Sequence, residues 1–111
     1  MAVTIVNIIP RKQAALGAET QYTSTSKKCV IDKFTITNTD TAVHLISVFL
    51  VASGDSPGVD NCILLDRGIA ANETYTCPEL VGQVLESNGF ISTNADAGSV
   101  LTLSASGREI T

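Results

Sequence analysis

His44 is the one histidine of the chain, and it stands between Val43 and Leu45 in an apolar run. An imidazole can serve as a general base or a metal ligand, but either role needs partners, and local spacing supplies none. The spacing predicts a structural histidine within a strand. Three cysteines, Cys29, Cys62 and Cys77, form an odd set without CxxC spacing, so a four-ligand zinc site would be incomplete. They are expected to be reduced thiols packing as small hydrophobic side chains. Asp55, Asp60, Asn61 and Asp66 carry the hard oxygens that calcium takes, but their order does not follow an EF-hand loop, and acidic residues in turns are commonly turn formers. A Ser/His/Asp set can be assembled on paper from any serine-rich chain, and no nucleophile elbow of the GxSxG type is expected. Asn72-Glu73-Thr74 fits the glycosylation acceptor pattern, which has meaning only in a secretory pathway. These residues predict no enzyme, no metal and no cofactor.

The bulk properties narrow the partners. A chain of 111 residues and 11.6 kDa holds one hydrophobic core, so one domain spanning residues 1–111 is expected. Charged residues make up 16%, low against the roughly 25% usual for globular chains, which points to a surface partly covered by partners. The net charge is -4, and the basic residues cluster only at Arg11-Lys12 and Lys27-Lys28, so no basic face is expected to hold DNA or RNA directly. No apolar run approaches the ~20 residues of a membrane helix, so no membrane partner is expected. The first twelve residues place apolar before basic, the reverse of a secretory signal. The chain is expected to stay where it is made until assembly or lysis. Aromatic residues are few (Tyr22, Phe34, Phe49, Tyr75, Phe90) and tryptophan is absent, which counts against a sugar-binding platform.

The pattern of the whole chain is that of strands. Residues 2–9 are β-branched and apolar, ending at Pro10, which cannot donate to a ladder. Residues 11–20 read as a loop with at most a short helical turn before Gly17. Residues 21–26 alternate as an exposed strand anchored by Tyr22. Residues 29–52 then predict a central hairpin about the polar turn at 38–41. In its first arm Val30, Phe34 and Ile36 share the core parity, with Asp32 as a polar exception; Ile31, Lys33, Thr35 and Thr37 share the other. In its second arm Ile46, Val48 and Leu50 share one face and Leu45, Phe49 and Val51 the other. That arm must sit centrally in a sandwich or be half covered by another chain.

Residues 53–61 form the clearest loop, followed by a short strand at 62–65, turns at 67–68 and 70–72, and a strand at 73–77 that stops at Pro78. A further short strand is expected within 79–85. Asn88-Gly89 predicts a hairpin-type turn of type I′, residues 90–94 another strand, and residues 100–110 a closing strand with Leu101, Leu103 and Ala105 inward. The total is about eight strands. It predicts an all-β, single-domain antiparallel β-sandwich.

The order of these features resembles small all-β virion structural proteins of tailed bacteriophages and prophages. In that group strands of the types xIxxFTITNTS and VxFSVxLV, a turn of the type LAAGETY, a segment ELVGxVLxxGDFIS and a closing ASGxEI follow one another. The matching stretches here are residues 31–39, 43–51, 69–75, 79–92 and 105–110. Asn72 stands where glycine is usual, and Asn88-Gly89 replaces Gly-Asp, but both keep turn chemistry. The resemblance implies a jelly-roll-like sandwich repeated in a virus particle. Its most direct function is a capsid decoration or cement protein, made in the bacterial host cytoplasm, that binds the major capsid protein or other virion proteins as a homo-oligomer. The alternatives are a tail, collar or fibre component and, from another class, a lectin-like ligand-binding module. Residues 1–9 are the expected partner-contacting strand, with Val3, Ile5, Ile8 and Ile9 as contacts.

Overall fold

Nine strands account for the alternation in the sequence: β1 (Val3–Gln13), β2 (Gly17–Thr23), β3 (Lys28–Asn38), β4 (His44–Val51), β5 (Cys62–Ile69), β6 (Thr74–Tyr75), β7 (Val84–Leu85), β8 (Phe90–Ala95) and β9 (Leu101–Ile110). The structure, a computed structural model, describes residues 2–111 and has no helix among them. The first sheet runs β1-β9-β3-β6, with β7 also paired to β3, and the second runs β2-β8-β4-β5. Every strand pairing is antiparallel.

The pairing has a simple logic. The first strand pairs with the last, β2 with β8, β3 with β6 and β7, and β4 with β5. The chain is therefore folded once into a long hairpin, with its apex at residues 52–61, and the doubled ribbon is rolled so that successive pairs fall alternately in the two sheets. That topology is a jelly roll. The all-β antiparallel sandwich expected from the sequence is the observed fold, with nine strands instead of about eight.

The core lies between the sheets. From the first sheet come Ile31, Phe34 and Ile36 of β3 and Leu101, Leu103 and Ala105 of β9; from the second come Ile46 and Val48 of β4 and Ile91 of β8. Phe34 is the largest side chain that is fully buried. At the side where β1 and β2 face each other across the sandwich, polar pairs close the seam. Lys12 Nζ lies 2.8 Å from Glu19 Oε2, and the Tyr22 hydroxyl donates to the Glu109 carboxylate.

Several expectations change. Residues 29–52 are not a hairpin, because β3 and β4 lie in different sheets and residues 39–43 arch between them. The true hairpin of that region is β4-β5, around the loop that the sequence marks at 53–61. Polar composition locates a chain reversal but not which partner it serves. A register shift between Ile31 and Lys33 resets the alternation of β3, so Cys29 and Ile31 point inward before it and Phe34 and Ile36 after it. Asp32, the polar exception, sits at that bulge, exposed, with its carboxylate gripped by Arg108 at 2.9 Å.

Pro10 does not end the first strand. It lies inside β1, an edge strand with register shifts on both sides of Ile9, where a missing N–H is tolerated. Residues 11–20 form no helical turn; they finish β1, turn the corner and begin β2 at Gly17, whose φ of 82° is easy only for glycine. Within 79–85 only Val84–Leu85 is a strand. The turn at 86–89 links β7 to β8 across the two sheets, and of its central pair only Asn88 has positive φ, so it is not type I′.

Candidate functional site

Among the described residues no group of three or more His, Cys, Asp or Glu is placed to hold a metal ion. Asn61 spends its amide on the loop, donating to Ser56 O at 3.0 Å and accepting from Gly58 N at 3.0 Å. Asp66 accepts a hydrogen bond from Ser47 at 3.4 Å. Residues 54–58 do spell GxSxG, as Gly54-Asp55-Ser56-Pro57-Gly58, so the letters occur where none were expected. They lie on the exposed β4-β5 loop, without the strand-turn-helix that makes an elbow. His44, the one imidazole, is held elsewhere.

Its two ring nitrogens each meet a carboxylate: Nε2 is 2.7 Å from Asp40 Oδ2 in the β3-β4 arch, and Nδ1 is 2.9 Å from Asp96 Oδ1 just after β8. A neutral ring would set a lone pair against one of these oxygens, so the site favours imidazolium. The Asp40 hydrogen bond, then that of Asp96, raises the histidine above its usual value, while the histidine lowers Asp40. The stabilisation from His44 is thus complete below about pH 6.5 and vanishes as pH climbs through the raised folded value. The part due to Asp40 is present above about pH 4 and is lost as pH falls through its lowered value. Melting temperatures of wild type and His44→Gln should differ most between those limits and converge at higher pH; a gap independent of pH would remove the imidazolium from the account.

Two exposed apolar surface features remain. One is the free edge of the first sheet. β1 pairs only with β9, so its outer backbone groups have no strand partner. Val3 is 56% exposed and Ile5 83%, although both are β-branched and apolar. Such an edge is usually shortened, charged or covered in a monomeric protein. Of the four residues expected to contact a partner, these two have surface to offer. Ile8 and Ile9 do not: at 3% and 0% exposure they belong to the protein's own core, because the bulge after Val6 brings two neighbouring side chains inward.

The second feature is a groove of about 620 Å³ on the outer face of the second sheet. Phe49 of β4 and Cys62 and Leu65 of β5 line it, Ala18 and Ser92 reach it from β2 and β8, and the loop carrying Pro57 and Val59 flanks it. Val59 is 89% exposed and Leu65 69%. The two-faced apolar pattern of β4 finds its explanation here. Ile46 and Val48 face the core, and Phe49 faces outward into the groove, so the strand is central in its sheet as the jelly-roll resemblance implies. Cys62 is a free, half-buried thiol whose deprotonation burial disfavours, and Cys29 and Cys77 are free and buried. The groove was not foreseen, because its walls come from four strands and a loop far apart in sequence; the outward Phe49 parity and Val59 within a polar loop were its only signals.

Charge is divided between the two faces. Six of the seven cations, Arg11, Lys12, Lys27, Lys28, Lys33 and Arg108, lie on or beside β1, β3 and β9, with only Asp32 and Glu109 among the acids there. The other nine carboxylates share the rest of the chain with Arg67. That guanidinium lies over the Tyr75 ring, 4.1 Å from its centroid. The face formed by β1, β9 and β3 is therefore the positive part of an acidic protein; Glu73, Glu79 and Glu86 lie by β6 and β7 of the same sheet, and the remaining six carboxylates lie on or beside the second sheet.

No family model matches the chain, and no curated protein matches it in sequence. Among solved structures it is similar to a chain in the structure of infectious bursal disease virus, Gx strain, with a TM-score of 0.49 and 14% identity over 97% of this chain and 32% of that one. The protein spans about a third of the length of that chain. Its jelly-roll assignment rests on its own strand order.

Proposed function

We propose that this protein is a structural component of a virus particle, and specifically a decoration or cement protein that binds the outside of a bacteriophage capsid lattice and stabilises it. The observation that carries the reading is the exposed apolar start of the edge strand β1, before its bulges and Pro10, on a jelly roll whose sequence resembles small virion proteins. Those motifs fall on positions that shape the fold. Asn38 anchors the arch after β3, Asn72 and Asn88 take positive φ in turns, and Gly107 permits close packing of β9 on β3. The surfaces left over suit assembly. Strand addition supplies backbone hydrogen bonds, Val3 and Ile5 supply apolar area, and many identical sites supply avidity.

Shells lacking the protein, mixed with purified protein, should bind it in hundreds of copies and resist heat or chelator better than bare shells. Binding at a dozen or so sites would instead favour the tail, collar or fibre reading. The first nine residues should not be deleted for this test, because Ile8 and Ile9 are core. Ile5→Glu leaves the core intact, and we expect it to weaken shell binding at least tenfold, about 1.4 kcal/mol per site. Unchanged occupancy would sink the strand-addition mechanism. The lectin-like reading gains no platform of several rings: of the aromatic residues only Phe49 lines the groove, while Phe34 is buried, the Tyr75 ring is under Arg67, and the hydroxyls of Tyr22 and Tyr75 donate to Glu109 and Glu79.

A further inference from the structure

We infer that the groove on the second sheet receives the N-terminal edge strand of a second copy of this chain, joining subunits head to tail. The two surfaces are complementary in both shape of burial and sign of charge. The groove offers an apolar lining of Phe49, Leu65 and Val59 on a sheet that carries or flanks six carboxylates and one arginine. The strand offers exposed Val3 and Ile5 on the sheet that holds the other six cations. No pairing of like faces has this property: two grooves would bring carboxylates together, and two β1 edges would bring cations together and leave both grooves open.

A stable contact covers about 800 Å² per partner, so the two contacts each subunit makes would take ~1,600 Å² of its 5639 Å² surface. Because donor and receptor patches differ, the contact is heterologous; it closes into a ring when the rotation permits and otherwise runs on as a filament. Val3 and Ile5 cannot contact a shell and a neighbouring groove at once, so the contact is one between free copies of the chain and is measured without shells.

The test uses purified full-length protein in sedimentation velocity and light scattering. Wild type should exceed the mass of one chain as concentration rises, and a monomer throughout the range overturns the inference. Ile5→Glu and Leu65→Glu change exposed side chains, so both should fold, as circular dichroism and melting check, and each alone should weaken association at least tenfold. Mixed together they should form a species of two chains, since each retains the face that the other lacks. Association blocked by only one of the two, or no recovery on mixing, rejects the head-to-tail arrangement. Cys62 gives a direct readout. Under mild oxidation Ile5→Cys should form an intermolecular disulfide with Cys62, detected by peptide mass, and it should not do so once Cys62→Ser is added. A disulfide between two copies of position 5 would show edge-to-edge pairing and overturn the proposal.

Discussion

Gly107→Ala is expected to yield almost no folded protein. Gly107 lies in β9 opposite Ile31, beside the bulge of β3, and a Cβ built there would overlap the Val30 carbonyl oxygen and come within 3.4 Å of Ile31 Cα. Its φ is not positive, so the requirement for glycine is one of space, not of backbone torsion. The obstacle is main chain, which cannot swing aside as a side chain end would. Relief requires the two central strands of the first sheet to part, with loss of ladder hydrogen bonds and of the packing around Ile31. The expected loss is roughly 4 kcal/mol or more, at the upper end of single-substitution effects and comparable to the whole stability of a small domain. Urea denaturation of any soluble fraction measures it. Gly58→Ala is the control, since nothing lies within 4 Å of a Cβ there, and it should stay within about 0.5 kcal/mol of wild type. A Gly107→Ala protein with normal stability would mean that β3 and β9 are not apposed in this register.

Asn38→Ala should be the costliest loss of a polar side chain. Asn38 is fully buried at the end of β3, where the chain leaves one sheet for the other. Its Nδ2 donates to Ala42 O and to Ile69 O, both at 2.8 Å, and its Oδ1 accepts from Asp40 N at 2.9 Å. One amide thus shapes the β3-β4 arch and fastens it to the end of β5. Alanine leaves two carbonyls and one N–H without their partner, and at about 1 kcal/mol per bond the cost comes to about 3 kcal/mol. Equilibrium unfolding in urea reads this directly. Asn38→Asp should be at least as damaging, because it turns a carboxylate toward two carbonyl oxygens. Half-buried Thr37, whose hydroxyl pairs with that of Thr74 at 2.9 Å, should tolerate alanine far better.

What the sequence made legible follows the range of the interactions concerned. The closing strand was plain because Leu101, Leu103 and Ala105 alternate without interruption with Thr102 and Ser104, and the burial repeats that pattern. The loop at 53–61 was plain because glycine, proline and aspartate concentrate there. Bulges were not legible: Asp32 looked like a flaw in an otherwise regular face, and Ile8 and Ile9 looked like two more members of a partner-contacting strand. A bulge depends on the partner strand, which lies more than 70 residues away in both cases. Pairing was hidden for the same reason. The polar residues 38–41 suit a hairpin turn and an arch equally, and only contacts of Asn38 with Ile69 settle which one forms.

The once-folded ribbon also sets an order of closure. Only β4 and β5 can meet across a short loop; β3 with its partners, then β2 with β8, and finally β1 with β9 each close a longer span of chain. Loop entropy therefore favours nucleation at the β4-β5 apex and zipping outward, at the slow rates typical of non-local sheets. On that ordering the last act of folding is the docking of β1 onto β9, with Val3 opposite Ile110. Substitutions at Val48 or Leu64 should slow refolding, whereas substitutions along β1 should chiefly hasten unfolding. The strand proposed to contact a neighbour is thus also the last to be secured, so a newly made chain meets other copies while that strand is still free.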